Sequence, residues 1–233
     1  DPCGVAEGAE TKGRYGVGAR VSKHRYGFVL LLILTSLVFQ LAAPERGWVR
    51  LVTIGLQGLA LLAALFASRI HPFLMRIATG VVLVAVGSSA AALIGFGSLG
   101  STAARMVTLL FVALAPAAIA RGVAIDFRER GAVSMHTMFG VLCIYLLIGS
   151  LFAFGFGIAD NLASTPFFAS GVHANTSDFL YFSFATLTTV GYGDLTAATD
   201  LGRSLAIAEA LIGQIYLVTV VAVIVGGLSR RPA

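Results

Sequence analysis

The chain has 233 residues, 58% of them hydrophobic and 12% charged, and its mean hydropathy is +0.91; a soluble domain carries about 25% charged residues, so composition excludes a water-soluble globular protein and places the chain in a bilayer. The net charge of +5 comes from basic residues that punctuate apolar runs instead of forming one patch, which reports membrane topology and speaks against a nucleic-acid partner. Cys3 in a polar leader and Cys143 inside an apolar run are the two cysteines, and they indicate neither a disulfide framework nor a metal spacing.

In chain order, residues 1–25 are polar, glycine-rich and increasingly basic towards Lys23, His24 and Arg25, which predicts a flexible cytoplasmic leader. Tyr26 to Ala43 is uncharged and long enough to cross the ~30 Å hydrocarbon core with a turn of interfacial residues. A signal peptide is the competing reading, given the basic start and the small residues Ala42 and Ala43. Leu51 to Ser68 forms a second apolar run, and Ile77 to about Phe96 a third, with Pro72 in the turn before it. The fourth, Met106 to Ala120, spans only about 22 Å at 1.5 Å per residue. It contains Pro116 and is expected to kink there and to extend to Ile125 with Arg121 snorkelling. These runs form a four-span region over 26–130.

The remaining residues, 131–233, have a different pattern. Met135 to Ile158 is a fifth span, Asp160 to Ser177 a loop, and Asp178 to Leu187 a half-length helix with Thr176, Ser177 or Asp178 available as N-cap. Ser204 to Leu228 is the last span. Under the positive-inside rule, twelve of the 16 Lys and Arg lie on the leader's side of this alternation, against Arg46, Arg50, Arg105 and Arg203 opposite. That predicts an integral protein of the cell membrane with both termini cytoplasmic. The fold class expected is an all-α membrane protein: six transmembrane helices, with a re-entrant pore helix and filter loop between the fifth and sixth.

The loop is Thr188-Thr189-Val190-Gly191-Tyr192-Gly193-Asp194. Successive carbonyls of an ordinary strand point in opposite directions, but glycine tolerates positive φ, so Gly191 and Gly193 can turn several successive carbonyls to one side. With the Thr189 hydroxyl below, such a ladder offers oxygen dipoles to a dehydrated monovalent cation, provided other copies complete each ring. A backbone of this kind survives at membrane depth only where it is buried in protein or faces a water-filled axis.

Those seven residues resemble the selectivity filter of the potassium channel superfamily, and the six-span arrangement is similar to its six-transmembrane members. The resemblance is specific over the C-terminal pore and amounts to a count of spans before it. It implies a homotetramer in the lipid bilayer, passive K⁺ conduction, no cofactor beyond K⁺ as the permeant ion, and coordination by Thr189, Val190, Gly191 and Tyr192, with Gly193 completing the filter. Tyr192, Tyr181, Phe182 and Phe184 would pack as a cuff behind it. Many relatives carry Trp where Phe182 stands, bonding the aspartate that matches Asp194; Phe182 has no donor, and Ala185 replaces a carboxylate found in some relatives. Thr188, Asp194, Phe182 and Glu209 are therefore the expected filter supports.

Glu209 is the one acidic residue within any predicted span, and a lone carboxylate in lipid needs a partner. A structural role behind the pore helix, bonding backbone N–H or hydroxyl groups, stands against a direct ion site. On the last span Gly213 is a candidate hinge. Tyr216, Thr219, Val220 and Val223 recur at helical spacing, so that they line the inner cavity or else meet lipid or a neighbour; a dewetting constriction near Val223 could gate. Arg105 and Arg121 stand sixteen residues apart, too sparse for a voltage sensor when each charge contributes ~2.3 kcal/mol per 100 mV. Weak or absent voltage dependence is expected. Asp160, Asp178, Asp194 and Asp200 would concentrate cations at the outer mouth. A non-selective cation channel and a pore subunit of a potassium uptake transporter are the alternatives; an enzyme would need paired catalytic groups at membrane depth, where Glu209 stands alone.

Overall fold

The structure, a computed structural model of the chain, describes residues 25–43, 47–68, 71–93, 101–130, 135–171 and 174–229. The leader, the glycine-rich stretch after the third run and the closing Arg230 and Arg231 lie outside the described residues, as do the side chains of Arg105, Arg128 and Arg130. Helices carry the described residues: α1 (Arg25–Ala42), α2 (Gly47–Ala67), α3 (Pro72–Leu93), α4 (Ser101–Arg130), α5 (Met135–Leu162), α6 (Thr176–Leu187) and α7 (Asp200–Ser229). Among the described residues the only β-type pairing is an isolated antiparallel bridge between Phe168 and Ala197.

Five of these helices are long and apolar enough to cross a membrane, in α2, α3, α4, α5 and α7. The apolar part of α1, Tyr26–Ala42, is shorter; it would rise about 26 Å. Helix ends differ from the runs of apolar residues because polar residues continue a helix as readily as apolar ones. Pro72, expected in a turn, is instead the first residue of α3, where its missing N–H costs nothing. The His71 Nδ1 accepts the Phe73 N–H there at 3.3 Å. Helix α4 runs through Pro116 without ending and is 30 residues long, twice the predicted core.

Helix α2 packs on α1, α3 and α4, and α1 and α4 both pack onto α5. Val29, Ile33 and Leu37 of α1, Ile54 and Leu61 of α2, Phe111, Val112 and Ile119 of α4, and Cys143 and Leu147 of α5 are buried together. In lipid such association relies on close contact and polar links more than on expulsion of water. Within α1 the Gln40 amide donates to the Ser36 carbonyl and hydroxyl, both at 2.9 Å, and between helices the Cys143 thiol of α5 lies 3.8 Å from the Tyr26 carbonyl of α1. A small cavity between this bundle and α5 is lined by Ser36, Gln57 and Ser150 among apolar neighbours. In the C-terminal part α6 contacts both α5 and α7, so the short helix is wedged between two long ones.

Candidate functional site

Helix α6 aims the loop that follows it. Its N-cap is Asn175, one residue ahead of the candidates read from sequence: the Asn175 side chain accepts the Asp178 N–H at 3.0 Å and the Ser177 hydroxyl at 2.6 Å. The Asp178 carboxylate accepts the Asn175 N–H at 2.9 Å, closing a reciprocal box. Asp178 is thus a helix-start residue, and its negative charge sits at the positive end of the helix dipole.

At the other end the chain leaves the helix sharply. The N–H groups of Val190 and Gly191 both turn back to the Ala185 carbonyl, at 2.9 and 3.1 Å, and that of Thr189 to Thr186 at 2.9 Å. With the N–H groups spent on the helix end, no hydrogen bond among the described residues reaches the carbonyls of Thr189, Val190, Gly191 or Tyr192. Positive φ falls at Thr189 (59°), Gly191 (53°) and Gly193 (82°), and at neither Val190 nor Tyr192. Positive and negative φ therefore alternate over five residues. The sequence pointed to the two glycines; Thr189, a β-branched residue in a left-handed conformation that ordinarily disfavours it, was not foreseen. Residues 188–194 are all exposed in the single chain, with Val190 at 52% and Tyr192 at 71%.

Phe182 is buried in a cluster with Phe156, Phe167 and Phe168, at ring separations of 5.2, 5.9 and 5.3 Å, and among the described residues no ring contact joins it to Tyr192. Tyr181, the residue before it, faces the loop with its phenol near the Asp194 carboxylate. The Tyr181 ring also lies parallel to that of Tyr192, at 6.0 Å and 8°. One position along the helix turns the side chain from the interior to the loop. Phe184 packs instead beside Gly149 of α5. Beyond Asp194 the chain is tied to the loop before α6, the Ala169 N–H donating to Thr196 at 2.9 Å and the Ala198 N–H to Phe167 at 2.8 Å. The Asp160 carboxylate accepts the Phe167 N–H at 2.9 Å, so it holds this loop.

On α7 the residues buried against the rest of the chain form one stripe, Gly202, Glu209 and Gly213, continued by the half-buried Tyr216 and Val220. Tyr216, grouped on sequence with a cavity-lining face, is turned elsewhere: its hydroxyl donates to the Val141 carbonyl of α5 at 2.6 Å and its ring stacks on Tyr145 at 5.8 Å. Helical spacing finds a face but not what it meets. Thr219 and Val223 are exposed. Gly213 lies against the end of α6, where a Cβ would stand 2.6 Å from the Leu187 carbonyl; glycine is needed there for closeness, whether or not the helix bends. The same Leu187 carbonyl accepts the Tyr145 hydroxyl at 3.3 Å.

Glu209 is fully buried, at 0% exposure. Its Oε1 meets the Ser183 hydroxyl, which also lies 2.6 Å from the Gly149 carbonyl, and its Oε2 has no partner. The expected hydroxyl partner is thus present. Ser183 itself carried no signal in the sequence, because one serine in an apolar helix is unremarkable until its neighbours are known. Among the described residues no group of His, Cys, Asp and Glu is arranged to hold a metal.

Comparison with known proteins adds one match. Residues 140–229 fit the family model described as ion channel, which takes in most of α5, all of α6, the loop and α7 and marks that part as an ion-channel domain. The four helices before residue 140 lie outside it. No curated protein matches the chain.

Proposed function

We propose that this chain, a membrane protein with an ion-channel domain at residues 140–229, is the subunit of a homotetrameric potassium channel that conducts K⁺ passively. In this reading the chain crosses the membrane six times, α1 included. Helix α6 re-enters from the outer face, and the carbonyls of Thr189, Val190, Gly191 and Tyr192 with the Thr189 hydroxyl replace the water of a K⁺ ion. The observation that carries it is the alternation of φ sign over Thr189 to Gly193, with the N–H groups turned to the helix end and the carbonyls left unbonded. Carbonyls without a donor are costly unless water or an ion meets them, and one chain supplies one wall only. Three further copies around an axis complete the rings and cover the exposed face of α7, where Ile207, Leu211, Ile215 and Val218 stand bare.

A non-selective cation channel is the second reading, favoured by one observation: Tyr192 is exposed in the single chain and among the described residues its ring stacks on Tyr181 alone. Flux through purified protein in liposomes under imposed K⁺ and Na⁺ gradients separates the two. We expect K⁺ to pass and Na⁺ to be rejected by at least about a hundredfold, roughly 2.7 kcal/mol. Equal passage of both ions selects the second reading, and passage of neither removes both.

A further inference from the structure

We propose that Glu209 acts as an uncharged hydrogen-bond donor which, through Ser183, holds α6 against α5 and so positions the filter; this rests on the reading of the chain as a potassium channel. Three oxygens lie in a row here. The Gly149 carbonyl of α5 carries no hydrogen, the Ser183 hydroxyl of α6 carries one, and the carboxyl of Glu209 on α7 carries one or none. Ser183 Oγ is 2.6 Å from the Gly149 oxygen, a separation at which two oxygens repel unless a hydrogen lies between them. The Ser183 hydrogen is therefore committed to Gly149. The contact between Ser183 Oγ and Glu209 Oε1 then requires a hydrogen that only Glu209 can supply.

The other carboxyl oxygen points the same way. Oε2 is buried without a hydrogen-bond partner, and no ion pair reaches Glu209 among the described residues. A neutral acid leaves a bare carbonyl oxygen in this position, whereas a carboxylate would leave half of a full charge unmet inside protein. Full burial behind α6 also separates the carboxyl from the exposed loop that would meet an ion, which sets the direct ion site aside.

The consequence is mechanical. Ser183 stands one turn before Leu187, whose carbonyl is fixed by Tyr145 and pressed by Gly213, and the turn after Leu187 is the loop itself. The row of oxygens sets the rotation of α6 about its axis, and with it the direction of the Ala185 carbonyl that receives the Val190 and Gly191 N–H groups. Glu209 and Ser183 are positioning residues that touch no ion.

The test compares wild type with Glu209→Gln, Glu209→Leu and Ser183→Ala as purified oligomers in liposomes, reading both K⁺ over Na⁺ selectivity and the oligomer's melting temperature. Glutamine keeps a donor of the same length without charge and is expected to stay within about twofold of wild type in selectivity. Leucine and Ser183→Ala are each expected to lose selectivity about tenfold or more and to melt lower, and Glu209→Leu with Ser183→Ala to be no worse than either alone. Should the leucine variant fail to assemble, the glutamine and Ser183→Ala variants decide. A glutamine variant as impaired as Ser183→Ala overturns the proposal, as do unchanged leucine and Ser183→Ala variants. If wild type carries no K⁺ while the melting temperatures follow the expected order, the row of oxygens stands and the channel reading falls.

Discussion

A carbonyl ladder depends on single backbone angles, and Gly191 at 53° and Gly193 at 82° are where those angles forbid a side chain most directly. An L-residue in the left-handed region costs roughly 1–2 kcal/mol, and in an assembly of four that cost recurs in every copy. No neighbour within the chain crowds either glycine, so the conformation, not space within the subunit, sets the requirement. Gly191→Ala is expected to lower K⁺ flux in liposomes at least about a hundredfold while the oligomer still forms. Undiminished flux through that variant would show that the ladder does not conduct. Thr189 already accepts the strained angle without being glycine, which is intelligible if its hydroxyl is needed at that height of the pore. Thr189→Ser keeps the oxygen and is expected to preserve K⁺ selectivity within about threefold, where Thr189→Gly, though easier on the backbone, is expected to lose it.

The elements around the loop are held by close approaches that leave little freedom. Helix α6 lies between Gly149 of α5 and Gly213 of α7, and at Gly213 an added methyl would meet the Leu187 carbonyl at 2.6 Å. Gly213→Ala is therefore expected to destabilise the folded subunit by about 1–3 kcal/mol, seen as a lower melting temperature of the purified protein. An unchanged melting temperature would leave bending of α7 as the reason for glycine there. Around the start of α6, Phe156, Phe167, Phe168, Phe179 and Phe182 are all buried, and their mutual edge and stacked contacts anchor both that helix start and the loop that pairs with the segment after Asp194. Aromatic pairs of this kind contribute about 0.5–1.5 kcal/mol each beyond burial, so the cluster holds α6 from behind while the stacking of Tyr181 on Tyr192 meets the loop itself.

At the level of the whole molecule, the exposed surface of α7 and the bundle formed by α1, α2 and α4 on α5 pose different questions. The first asks for further copies of the chain. The second asks what the N-terminal helices contribute, and charge supplies part of the answer. Arg121 of α4 has an exposed side chain, and with Arg105 sixteen residues before it the helix lacks the closely repeated arginines that a voltage sensor moves through the field. Recordings from the reconstituted protein are expected to show open probability changing less than about tenfold between −100 and +100 mV; a steep sigmoid would refute this. The bundle instead serves as a mount for α5, joined to it by the contact of the Cys143 thiol with the Tyr26 carbonyl at 3.8 Å and by the packing of Gly140 against Ile119 and Val123.

Much of the site was legible in residues 188–194 because turning a backbone requires glycine at fixed spacing, and that is a local matter of sterics. The same locality made the short helix before it and the long apolar runs readable. Partners between helices were not readable in this way. A helix in lipid is apolar towards the bilayer and apolar towards its neighbours, so periodicity has too little contrast to say which face meets what. Hence the face of Tyr216 was left open between cavity, lipid and neighbour and is bound to α5, and Asn175 was passed over as the helix cap. The amino acids alone dictated where the chain must bend and which oxygens it can bare. Only three-dimensional packing decided which hydroxyl meets Glu209 and which carbonyl presses on Gly213, since those contacts join residues far apart in the chain that nothing local brings together.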